Sequence, residues 1–184
     1  MKKSTITFLS LLIFLFTHAQ SAEDTTDRRF HDNLLNNLVG KWDATAIVHK
    51  EKFTLNFEAE WVLNHQYLRV HFKSNEIVPW LKMQFEQEYF FGHNRMYKRY
   101  FVHEVSVFGG NGPYEGFCYA YKTGNEFKLV QKMSDSDKAK VQRFTWDPGS
   151  KSWHIVSRPL ENGIEGEPFI EMKLVATKPS TAIR

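Results

Sequence analysis

The sequence predicts an all-β fold: an antiparallel up-and-down barrel of about ten strands, preceded by one short helix. Three observations carry this. Across residues 53–63, apolar Phe53, Leu55, Phe57, Ala59, Trp61 and Leu63 alternate with residues such as Thr54, Asn56, Glu58 and Glu60. That is the period of two expected of a strand with one dry face. Nine more strand-like segments lie along the chain, separated by short clusters of Gly, Asn, Asp, Pro and Ser. A helical period shows only once, ahead of all of them. Ten consecutive strands joined by short turns read as a meander, and closing the meander into a barrel removes the two unpaired edges.

In chain order, the first element is not part of this fold. Lys2 and Lys3 precede an almost wholly apolar stretch, residues 6–16, and then Thr17-His18-Ala19. This is the pattern of a secretory signal peptide cleaved after Ala19. The apolar stretch is about half the roughly 20 residues that span a bilayer, so cleavage is expected to leave no stable membrane anchor. The expected product is periplasmic or secreted. It has 165 residues (184 less 19), one domain's worth, and its net charge falls from +3 to +1, with 22 basic and 21 acidic residues. That balance, with no dense Lys/Arg run, gives no reason to expect a nucleic-acid partner. Residues 20–37 are assigned to an N-terminal segment with the short helix, 38–178 to the barrel and 179–184 to a tail.

Asp27 is placed to cap the helix, in which Phe30, Leu34 and Leu38 recur every four residues until Gly40 stops it. Strands are then expected at 42–49, 53–63, 67–73, 81–91, 96–108, 114–121, 127–133, 141–146, 153–158 and 169–176. The loop Gly109-Gly110-Asn111-Gly112-Pro113 lacks the G-x-G-x-x-G spacing and a following helix, so it reads as a hairpin loop and not a phosphate cradle. Cys118 is the only cysteine. It excludes an internal disulfide, and its aromatic neighbours Phe117 and Tyr119 suggest a buried, inert thiol.

Three segments together carry a family resemblance. They are Leu38-Val39-Gly40-Lys41-Trp42; Trp61-Val62-Leu63 with Leu68-Arg69; and Phe144-Thr145-Trp146-Asp147-Pro148 with Trp153. In this order they resemble the bacterial domain-of-unknown-function family DUF1579, within the calycin superfamily of lipocalin-like barrels. The resemblance spans roughly residues 34–177. It implies that Gly40 turns the chain from helix to strand and that Trp42 closes one end of the barrel. The nitrobindins, distantly similar barrels, bind haem through a histidine in a last-strand motif of the form P-H-L-x-A-x-L. Here Pro168 is followed by Phe169, which has no lone pair for iron. His154 on the neighbouring strand is the substitute candidate without a motif, and no cofactor is expected.

Candidates for chemistry are few. Glu58 with Glu60 and Glu86 with Glu88 share strand faces, but opposite the apolar positions, as a solvated outer face would. No G-x-S-x-G nucleophile motif and no local zinc-ligand spacing is present. His65, Tyr67, Arg69 and His71 fall on one strand face; Arg95, Tyr97, Arg99, Phe101 and His103 fall on another. Each set is either a polar outer face or a lumen wall offering donors to an anionic head group. The candidate ligand-binding residues are therefore Phe57, Trp61, Arg69, His71, Phe85, Tyr97, Arg99, His103 and Trp146, with Phe53 and Leu55 as further lining. The expected partner is a small apolar or amphipathic molecule sequestered by desolvation. Two alternatives remain open: an enzyme using His71, Arg99 or His103 for acid–base work, and a packed scaffold that binds a protein.

Overall fold

The computed structural model of the chain describes residues 29–109, 112–114, 116–133 and 136–177. The signal-peptide reading of residues 1–19, the cap at Asp27 and the tail at 179–184 lie outside the described residues. The helix α1 spans Asn33–Asn36 and the strands are β1 Gly40–Val48, β2 Glu51–Val62, β3 Tyr67–Val78, β4 Met83–Asn94, β5 Arg99–Ser106, β6 Phe117–Thr123, β7 Glu126–Lys132, β8 Ala139–Asp147, β9 Ser152–Glu161, β10 Ile164–Glu165 and β11 Ile170–Ala176.

Neighbours in sequence pair antiparallel from β1 through to β9. β11 then lies between β9 and β1, with Met172 opposite both Ile155 and Ala46. This closes a ten-stranded barrel. The two-residue β10 is a side excursion on β9, pairing Ile164 with Glu161. As closure predicts, no long strand among the described residues is left with an unpaired edge.

The N-terminal helix is shorter than the four-residue repeat suggests. Asp32 caps it, accepting from the backbone N–H groups of Leu34 and Leu35, both at 2.9 Å. Phe30 stays outside the helix because its own N–H is bonded to the carbonyl of His65 at 3.0 Å. Gly40 then turns the chain into β1 at φ +129°, a region that side-chain-bearing residues rarely adopt.

The barrel has a near end, where α1 sits, and a far end, where β1 leads into β2. The near half is packed shut. Leu34, Leu35, Leu38, Phe57, Leu68, Phe91, Phe127, Phe144, Trp153 and Leu174 are all buried in one continuous core. Ala44 and Ala59 supply the small positions opposite these rings, the large–small alternation that fills a barrel interior.

Candidate functional site

The near end is closed by a hydrogen-bonded plug. Three indoles from three strands hold the end of the helix. Trp42 Nε1 donates to the Leu38 carbonyl (2.8 Å), Trp153 Nε1 to the Asn37 carbonyl (3.1 Å) and Trp61 Nε1 to Asn36 Oδ1 (2.9 Å). The second oxygen of Asp32 accepts from Tyr100 Oη and Lys122 Nζ, both at 2.6 Å. Burial alone would raise the Asp32 pKa, but these donors overrule it and hold the carboxyl below its usual range. Burial and the same carboxylate push the Tyr100 hydroxyl up. Trp42 lies at this end, and Trp146, edge-on to Trp42 at 6.3 Å and 5.4 Å from Trp153, packs beside it.

The far half is built differently. On five strands the inward-facing positions start apolar near the plug and turn polar at a common level. On β4, Phe91 and Tyr89 are followed by Gln87. On β5, Val102 is followed by Glu104; on β7, Leu129 by Gln131; on β8, Phe144 by Gln142 and Lys140; on β9, Ile155 by Ser157. Their contacts place these side chains in the lumen. Tyr89 Oη reaches across to Gln142 Oε1 at 2.8 Å, Lys140 Nζ lies 3.3 Å from Glu104 Oε2, and Gln131 Nε2 donates to the same Glu104 oxygen. The opposite wall, from β11 through β1 and β2 to β3, is mostly apolar: Met172, Ala46, Leu55 and Phe72, with Ser74 its one buried polar side chain, bonded to the Glu76 carbonyl and the Phe85 N–H. The far lumen thus has one polar wall and one apolar wall.

Two features set the polar wall apart from an ordinary core. The Glu104 side chain, though inward, keeps 17 % of its surface exposed. In addition, Gln87 Nε2, Gln131 Oε1 and Ser157 Oγ are buried with no hydrogen-bond partner. Such orphans are rare in native interiors and costly. Burial, with Glu104 adding to it, raises the Tyr89 and Tyr114 hydroxyls and pushes the Cys118 thiol up to about 12. Cys118 is thus a buried and unreactive thiol at neutral pH.

The candidate residues from the sequence do not converge on this chamber. Phe57 packs in mid-barrel, stacked on Phe72 at 5.8 Å. Trp61 lies at the plug, stacked on His65 at 4.2 Å. Phe85 reaches the far lumen, against Phe72 and Phe108; Leu55 lies on its apolar wall and Phe53 packs edge-on to Trp80 at the far mouth. The polar candidates face outward, as their alternation with buried Leu68, Val70 and Val102 requires. Arg69 is ion-paired with Glu60 (3.1 Å) and Glu88, and His71 Nε2 lies 2.8 Å from Glu86. Arg99 lies over the rings of Tyr97 (5.0 Å) and Tyr119 (4.3 Å), and His103 rests on Phe117. Phe101, between them, covers Gly92, where a Cβ would come within 2.5 Å of the ring. His154 is exposed on the outer side of β9, and Phe169 stacks on His49 at 6.1 Å. Among the described residues, no three His, Cys, Asp or Glu side chains gather as a metal site would require.

The chain matches no family model and no curated protein. The site must be read from its own chemistry.

Proposed function

We propose that this protein is an exported, lipocalin-like carrier that holds a small amphipathic molecule in the far half of its barrel. The observation that carries the reading is the two-walled lumen, with Met172, Ala46, Leu55 and Phe72 facing Gln87, Glu104, Gln131, Lys140 and Ser157. An apolar segment of the ligand gains by leaving water against the first wall, at about 25 cal/mol per Å² of buried surface. A polar group meets the second. Entry is from the far mouth, since the plug fills the near end. The signal-like N-terminus and the resemblance to lipocalin-like families agree with export and carriage. The outward placement of His71, Arg99 and His103 removes the residues on which acid–base catalysis would rest.

The test is binding of a neutral, environment-sensitive dye, with saturation expected near one per chain. Ala46 sits on the apolar wall and is 2 % exposed. Ala46→Phe should abolish dye binding while leaving the fold intact, because the ring occupies lumen space. If that change leaves no dye site to lose and instead costs about 1–3 kcal/mol, as overpacking of a filled core does, the barrel is a scaffold and the carrier reading fails. Native mass spectrometry of protein purified from its source would identify a retained molecule directly.

A further inference from the structure

We infer that the ligand's head group is neutral and carries a donor and an acceptor side by side, as a carboxamide does; this rests on the carrier reading above. The orphaned atoms on the polar wall specify it. Gln131 is fixed in orientation, because its Nε2 donates to the Glu104 carboxylate and its Oε1 must therefore point away from that charge. What remains is a buried acceptor without a donor. A carboxylate cannot fill that role, since it has no proton to give. On β4, Gln87 leaves a buried donor, Nε2, without an acceptor at hydrogen-bond distance, its neighbour Tyr89 Oη being turned to Gln142. An ammonium cannot fill that role, since it has no lone pair to offer. A primary carboxamide meets both needs, and Ser157 Oγ, the third orphan, can serve either as donor or as acceptor.

The charges on the wall point the same way. On this wall, among the described residues, the one buried cation, Lys140, and the one inward carboxylate, Glu104, are already paired at 3.3 Å. A carboxylate ligand would have to separate Lys140 from Glu104 or sit beside a like charge. An ammonium ligand would have to displace both Lys140 and the Gln131 amide from Glu104. Either exchange leaves a charged group in a poorly hydrated site without its partner, which is strongly unfavourable. A neutral head group leaves the pair intact and satisfies only the atoms that have no partner.

The experiment is displacement of the neutral dye by four ten-carbon probes on the full mature chain: decanamide, decan-1-ol, decanoate and decylammonium. Decanamide is expected to bind tightest, with decanoate and decylammonium weaker by about tenfold or more. Gln131→Leu and Gln87→Leu, of nearly the same side-chain volume, should each reduce the decanamide preference over decan-1-ol by about tenfold, with a cooperative urea-unfolding transition as the control for folding. If one variant fails to fold, the other tests the preference alone. Tightest binding by decanoate or decylammonium, or an unchanged preference in both variants, overturns the inference while leaving the carrier reading standing. Failure of the chain to bind dye or any of the four probes overturns the carrier reading and the inference with it.

Discussion

The two halves of the barrel share strands, alternation and hydrogen-bonded closure, yet they treat buried polar groups in opposite ways. At the near end Asp32 accepts four donors, from Leu34, Leu35, Tyr100 and Lys122, and three indole N–H groups each have a carbonyl oxygen. At the far end Gln87, Gln131 and Ser157 each keep an unpaired atom. A satisfied polar network rigidifies a core, whereas a half-satisfied one costs stability and is tolerated where something else depends on it. The contrast separates the part of the barrel that holds the fold from the part that is free to do something else.

The largest expected effect breaks the near end. Trp153 is fully buried and holds the Asn37 carbonyl. Trp153→Ala should destabilise the protein by about 3–5 kcal/mol in urea unfolding. A loss below about 1 kcal/mol would mean the plug does not carry the fold. Asp32→Ala comes next, at about 2–3 kcal/mol, because it uncaps α1 and leaves Lys122 and Tyr100 unpaired. Lys122→Met should cost less, since Asp32 keeps three donors. In the far half, Gln87→Leu and Ser157→Ala remove groups that lack a partner, so stability should stay level or rise by up to about 1 kcal/mol. A loss as large as that of Asp32→Ala would erase the distinction between the halves.

The smallest effect concerns pH and the outer strap beside the far mouth. Glu165 on β10 takes both terminal nitrogens of Arg143, at 2.6 and 2.7 Å, which draws its pKa down to about 2 against some opposing burial, with Lys128 helping. An unfolded Glu titrates near about 4.3. A carboxylate with a depressed folded pKa stabilises above its unfolded value, and that contribution is lost as pH falls toward about 2. Glu165→Gln should therefore flatten the fall in stability between about pH 4.5 and 2 and change little at pH 7. An unaltered acid limb would show that the strap is not energetically engaged.

Much of the barrel was legible because one wall surface faces a dry interior along nearly its whole length. The run at 53–63 survives in β2 as far as Trp61, with Leu63 instead exposed in the turn beyond, and the ten-strand count survives in the closed sheet. The helix was over-read, because Phe30 keeps an apolar spacing while serving as a wedge against Trp61, His93 and Tyr100. The polar wall was missed for a physical reason. Gln87, Glu104, Gln131, Lys140, Gln142 and Ser157 look like solvent-facing residues when polarity alone assigns the face. A signal did exist in β8, where Val141 is out of phase with Phe144 and Trp146. Carrying the phase of the two aromatics backward places Gln142 and Lys140 inside and Val141 on the outer side of the strand, where it is nevertheless fully buried. Arg69, His71, Arg99 and His103 were ambiguous for the same reason, and their register beside Leu68, Val70 and Val102 resolves it.

The tryptophans sort themselves between the two ends, and this gives the protein a built-in optical readout. Of the five, Trp42, Trp61, Trp146 and Trp153 surround the plug, while Trp80 stands at the far mouth, 49 % exposed, edge-on to Phe53 at 5.5 Å. A water-soluble collisional quencher should therefore reach Trp80 first and most easily. The emission that survives, or the whole emission of Trp80→Phe, reports on the plug alone. Subtracting one spectrum from the other lets a single cuvette follow the mouth and the sealed end as separate events.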